Sequence, residues 1–136
     1  MPARLVAVTD QAREALGDVE HAIARFPFRV GRESRSALTR IAMSIERRLG
    51  DAPHVNDVYL VEPVTSQYLH VSREHFQIER DGETFYLRDR GSAGGTLVNG
   101  TQVGGDRAGG RIELPDEATI VVGTTSSPYV FRFLVS

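Results

Sequence analysis

The 136-residue chain contains neither cysteine nor lysine. Without cysteine there are no disulfides, no thiol nucleophile and no thiolate metal site. Without lysine there is no Walker-type phosphate loop, no Schiff-base chemistry and no lysine general base. All 16 positive side chains are arginine, so any anion held by a charged side chain is held by guanidinium, whose planar fork suits phosphate and carboxylate. No apolar run approaches the roughly 18 residues needed to cross a bilayer, and the opening stretch MPARLVAVTDQAREAL has no signal-peptide core. With a formal net charge of −2, nothing draws the whole chain toward nucleic acid or membrane, and the expected location is the cytoplasm. The arginine-only composition suggests a GC-rich genome and a bacterial source.

What is present reads mainly as strands within a single domain spanning residues 1–136. The runs LVAV (5–8), AIARFPFRV (22–30), DVYLV (57–61), HFQIER (75–80), TFYLRD (84–89), TLVN (96–99), RIEL (111–114), TIVVG (119–123) and YVFRFLV (129–135) are short and apolar or alternating, with an N-terminal strand falling within 1–20. Ile23, Phe26, Phe28 and Val30 are core candidates, and Pro27 makes their run an edge strand or a bent one. Asp81-Gly82 and Asn99-Gly100 sit between runs and read as hairpin turns, because both turn positions accept positive φ. Many short strands with tight turns imply an all-β sandwich or barrel. One segment differs: in SALTRIAMSIERRLG (36–50) the residues Leu38, Ile41, Ala42, Ile45 and Leu49 recur at helical spacing, which predicts an amphipathic helix near 36–49.

Three polar clusters fall where strands become loops: FRVGRES (28–34), HVSREHF (70–76) and DRGSAGGTLVNG (89–100). Ser72, His75 and either Asp57 or Asp89 make a hydrolase-like list, but no G-x-S-x-G elbow accompanies them, so no catalytic residue is assigned and no enzyme is expected. His70 and His75 lie five apart in an extended chain and point to opposite faces, so they do not pair on a metal. GSAGG lacks the spacing and following helix of a dinucleotide loop, and no cofactor is implied. The arginines are dispersed among 18 acidic residues without an aromatic-basic platform, which argues against nucleic acid.

Taken in order, Gly31-Arg32, Asn56-Asp57-Val58-x-Leu60, Ser72-Arg73-x-His75, Asp89-x-Gly91-Ser92 and Gly95-Thr96-x-Val98-Asn99-Gly100 resemble the forkhead-associated (FHA) domain. The resemblance runs from about Phe26 to Phe133. It implies an FHA/SMAD-like β-sandwich of about eleven strands that binds phosphothreonine peptides through loops at one end. By this resemblance Arg32 supplies a guanidinium to the phosphate, and Ser72 supplies its hydroxyl together with its backbone N–H. Arg73 lies beside the phosphate and the peptide backbone, while His75 ties the loops together from beneath. Gly31, Ser92, Gly95, Thr96 and Asn99 support the site. The residue types suit the ligand, because phosphothreonine brings close to two negative charges and three acceptor oxygens, which call for a delocalised cation plus neutral donors. The implied partner is a phosphothreonine-containing protein downstream of a serine/threonine kinase, or the kinase itself.

The chain departs from the family pattern in two ways. Gly94 stands where the family usually carries an asparagine that grips the bound peptide. The stretch 33–55, with the expected helix, is longer than the family needs, as is 62–70. Both insertions flank the expected site, and the helix-bearing one implies either a second contact surface or a partial lid over the pocket, or a decoration packed on the side of the sandwich. The competing reading is a phosphate-independent assembly scaffold built on the same fold.

Overall fold

The computed structural model describes residues 2–32, 56–62 and 70–136. Among these residues the chain forms eleven strands and one short helix: β1 (Ala3–Ala7), α1 (Asp10–Leu16), β2 (Glu20–Ile23), β3 (Phe28–Arg32), β4 (Val58–Leu60), β5 (Phe76–Asp81), β6 (Thr84–Asp89), β7 (Thr96–Val98), β8 (Thr101–Val103), β9 (Gly110–Glu113), β10 (Ala118–Val122) and β11 (Val130–Val135). They make two sheets, one ordered β2-β1-β11-β10-β7-β8 and the other β4-β3-β5-β6-β9.

The alternation seen in the sequence becomes the burial pattern. Val30, Phe76, Ile78, Leu87, Ile120, Phe131 and Phe133 are fully buried between the sheets, and rings from the two sheets meet, as in Phe85 against Phe133 at 5.2 Å. Burying each such side chain contributes about 1.5–3 kcal/mol. Ile23, Phe28 and Val30 join this core, with Phe26 packed at its margin. The run containing Pro27 is neither a single edge strand nor a bent one. It is divided between β2, at the edge of one sheet, and β3, inside the other.

Turn chemistry fixes the registers. Asn99 and Gly100 join β7 to β8 as a two-residue loop with φ of 49° and 84°, the double positive φ of a type I′ hairpin. The β5–β6 loop is Gly82-Glu83 rather than Asp81-Gly82, because Asp81 pairs with Thr84. Gly82 occupies the first central position at φ 62°, where a type II′ hairpin wants glycine.

Helix α1 was not expected from the sequence, which offers too short an apolar period there. It is built from its ends: Thr9 accepts the Ala12 N–H at 3.1 Å, and Gly17 closes the last turn with φ 84°. Its Ala12 and Ala15 face the core, and the Ala15 carbonyl accepts the N–H of Val61, just past the edge strand β4. The helix predicted near 36–49 lies outside the described residues. Strand β1 pairs along its whole length with Phe131–Val135 of β11, and the Ser136 N–H closes the pair on the Pro2 carbonyl at 2.9 Å.

Candidate functional site

The end of β3, the approach to β5, the end of β6 and the approach to β7 meet at one end of the sandwich, and hydrogen bonds rather than apolar packing join them. Arg32 donates its backbone N–H to the Ser72 carbonyl at 2.9 Å. The Ser72 N–H donates to His75 Nδ1 at 2.9 Å. Because Nδ1 accepts, the proton sits on Nε2, which donates to the Gly95 carbonyl at 2.7 Å. His75 is fully buried, and burial lowers its pKa despite the opposing pull of the Gly95 carbonyl and the Asp89 and Glu62 charges. It is a neutral crosspiece between two loops.

The second loop is organised by Asp89, a buried carboxylate that accepts four hydrogen bonds. One oxygen takes the N–H groups of Gly91 and Ser92 at 3.0 and 2.8 Å, and the other takes the hydroxyls of Ser92 and Thr96 at 2.6 and 2.9 Å. Ser92 Oγ in turn accepts the Gly95 N–H at 2.9 Å. A buried charge is tolerable when donors surround it in this way. Gly104 lets a neighbouring loop lie on Asp89, since a Cβ there would come within 2.5 Å of its carboxyl carbon.

Asn56 braces the first loop. Its Nδ2 donates to the Arg73 carbonyl at 2.7 Å, and its Oδ1 accepts from the Arg90 guanidinium. Gly31 admits this arrangement, because a Cβ there would overlap the Arg73 carbonyl oxygen and come within 2.5 Å of Asn56 Nδ2.

Above this network lies an open groove of about 600 Å³ bearing Arg32, Ser72, Arg73, Glu74, Arg90 and Arg107, with Val71, Gly91 and Ala93 completing its lining. Ser72 Oγ accepts the Ala93 N–H at 3.1 Å, which leaves the hydroxyl proton available to a ligand oxygen. Glu74 lies 3.6 Å from Arg90. Among the described residues four guanidiniums stand against one carboxylate in the groove lining, a positive balance that the chain's net charge conceals.

The FHA domain model matches residues 28–123, most of the chain. The chain belongs to the FHA domain family. A search of curated proteins finds no match. The solved structures it resembles include the FHA domain of kinase associated protein phosphatase from Arabidopsis, at 22% identity and TM-score 0.62, covering 99% of this chain and 93% of that one. The FHA domain of the CT664 protein from Chlamydia trachomatis aligns at 16% identity and TM-score 0.60, over 100% and 99% of the two chains. Mycobacterium tuberculosis EmbR, solved in complex with a low affinity phosphopeptide, aligns at 18% identity and TM-score 0.59, over 99% of this chain but 24% of EmbR.

In this FHA domain, three of the residues singled out from the sequence line the groove: Arg32, Ser72 and Arg73. His75, Ser92, Gly95 and Thr96 lie in the bonded network beneath, and Gly31 sits under Arg73. Gly94 does not line the groove; it stands against Gly123 and the His70 carbonyl. Asn99 lies at the opposite end of β10, where its Oδ1 accepts the Thr119 N–H at 2.9 Å, so it holds the β7–β8 hairpin. The expectation for the Ser72 N–H is corrected, because His75 occupies that donor.

The hydrolase-like list does not assemble. Both ring nitrogens of His75 bond backbone groups, and the Ser72 hydroxyl contacts Ala93 instead of the imidazole. Among the described residues no group of three or more histidines and carboxylates is placed to hold a metal, and no helix is long and apolar enough to cross a membrane.

Sequence reasoning missed Arg90, Arg107, Glu62 and the bracing role of Asn56. Asn56 and Asp89 stand inside motifs already quoted, but only the fold shows what they hold. Glu62 explains His70: its buried carboxylate accepts the N–H groups of His70, at 2.8 Å, and Val71, and the His70 ring packs on Tyr129. Arg107 carries no motif signal, since it reaches the groove from a loop that begins only after the last motif has ended at Gly100.

Proposed function

We propose that this FHA domain is a phosphopeptide-binding module, not an enzyme, which recognises a phosphothreonine-containing protein in serine/threonine kinase signalling. The observation that carries the reading is the convergence of Arg32, Ser72 and Arg73 on one open groove, with the Ser72 hydroxyl free to donate. A phosphomonoester placed there meets delocalised cations and a neutral hydroxyl donor. Each charge-assisted hydrogen bond is worth about 1.5–3 kcal/mol net, so two or three account for much of the roughly 8 kcal/mol of a micromolar complex. Val71 and Ala93 place apolar surface beside these polar groups, which supports a preference for threonine over serine. Burying the extra methyl contributes about 0.8 kcal/mol.

The alternative is a phosphate-independent assembly scaffold, and Gly94 favours it by offering no side chain to grip a peptide. Binding to an oriented phosphopeptide library, with Arg32→Ala as control, separates the two. The expected result is binding that requires phosphorylation and is lost in Arg32→Ala. Binding indifferent to both would establish the scaffold and overturn the phosphopeptide reading.

A further inference from the structure

We propose that the groove takes a ligand with two anionic groups, the phosphorylated residue and a second carboxylate or phosphate near it in the same peptide, and that Arg107 reads the second. This rests on the phosphopeptide reading and extends it to the class of peptide.

Charge matching gives the first reason. Among the described residues the groove holds four arginines and one glutamate, and Glu74 already answers Arg90 in part at 3.6 Å. A phosphomonoester brings close to two negative charges. Arg32 and Arg73 meet that phosphate in the reading above, and the Arg107 guanidinium, also on the groove, has no ion-pair partner among the described residues. Glu74 would repel a ligand carboxylate on its own side of the groove, which leaves Arg107 as the acceptable site for it.

The second reason is how Arg107 is placed. It stands in the stretch GGDRAGG (104–110), and both Asp106 and Arg107 hold positive φ, at 51° and 64°. That conformation is cheap for glycine or asparagine and uncommon for arginine. It is secured by the Asp106 N–H on the Ala93 carbonyl at 2.9 Å and the Arg107 N–H on the Ser92 carbonyl at 3.0 Å. The same two residues, Ser92 and Ala93, belong to the loop built on Asp89, and the Ala93 N–H also bonds the Ser72 hydroxyl oxygen. Arg107 is therefore fixed through one loop to the group that meets the phosphate. It approaches from the wall formed by Gly91 and Ala93, whereas Arg32 and Arg73 stand on the wall formed by β3 and the 71–74 turn. A peptide with its phosphate against Arg32 and Ser72 would carry a neighbouring residue past Arg107.

The test uses the full chain and fluorescence polarisation with three peptide sets on one backbone: a single phosphothreonine with neutral flanks, the same peptide with aspartate walked through the flanking positions, and the same with a second phosphorylated serine walked likewise. Each is titrated against wild type and Arg107→Asn, since asparagine suits the local φ and thermal melting can verify its fold. At one flanking position the second anion should tighten wild-type binding about ten-fold, the size of one charge-assisted contact. In Arg107→Asn that ratio should fall to about one, the signature of pairwise coupling. A gain from aspartate identifies the anion as a carboxylate, and a gain confined to the second phosphate identifies it as a phosphate; either supports the proposal. No gain at any position, or a gain that survives Arg107→Asn, overturns the role of Arg107 while the phosphopeptide reading stands. Wild type binding none of the phosphopeptides overturns both.

Discussion

The Ser72 backbone N–H donates to His75 Nδ1 at 2.9 Å. That bond exists only while the imidazole is neutral, because a protonated Nδ1 has no lone pair to offer. Burial lowers the His75 pKa in the folded chain from its ordinary 6.5. The unfolded chain therefore binds a proton that the folded chain refuses. Stability is complete above about pH 6.5 and is lost as pH falls below it toward the lowered folded value, at up to about 1.4 kcal/mol per pH unit. Urea unfolding at about pH 7.5 and 5.5 should show a larger loss for wild type than for His75→Gln, which lacks the titrating ring. Equal losses in both proteins would mean that another group sets the acid sensitivity.

Gly31→Ala should be far more damaging than a glycine-to-alanine change usually is. The added methyl overlaps the Arg73 carbonyl and crowds Asn56, so the 71–75 segment must move. The expected cost is about 1–3 kcal/mol in denaturant unfolding, with weakened phosphopeptide binding because Ser72 and Arg73 move with it. Gly82→Ala is the comparison: nothing lies within 4 Å of its Cβ, so only its positive φ is penalised, at about 1 kcal/mol, and binding should be retained.

Asp89→Ala should cost about 3 kcal/mol or more in stability, since it strands two N–H groups and two hydroxyls that its carboxylate satisfies. Thr96→Ala removes only one of those bonds and should cost about 1–2 kcal/mol. If the two variants unfold at the same urea concentration, Asp89 is not the loop's organiser.

Asn56→Ala should reduce affinity about ten-fold although Asn56 does not line the groove, because it removes one hydrogen bond from the Arg73 carbonyl and one from the Arg90 guanidinium. Isothermal titration against a single phosphothreonine peptide would measure this. Unchanged affinity in a folded variant would show that Arg73 and Arg90 hold their places without it.

Much of the fold was legible because alternation and turn chemistry are local. The Asn99-Gly100 turn follows directly from the dipeptide, while the β5–β6 turn shifted by one residue because cross-strand pairing of Asp81 with Thr84 outranked the dipeptide preference. Helix α1 was hidden because seven residues held by Thr9 and Gly17 leave no apolar period to detect. At the site, Arg32, Ser72 and Arg73 were readable through the family pattern. Arg90 and Arg107 were not, since their position depends on backbone bonds between segments distant in sequence, such as Arg107 to Ser92. The N–H of Ser72 was misassigned because a sequence does not reveal which acceptor a buried histidine offers.

The pairing of β1 with β11 also sets the polarity of the molecule. Val121 pairs with Val130 and Ala3 with Val135, so β11 starts at the groove's end of the sandwich and finishes, beside Pro2, at the other. Both described termini leave the domain at the pole away from Arg32 and Ser72. Anything attached there, whether a surface for immobilisation or a further polypeptide, presents the groove outward, and a short linker joining residues 2 and 136 would permit circular permutation without crossing the ligand's path.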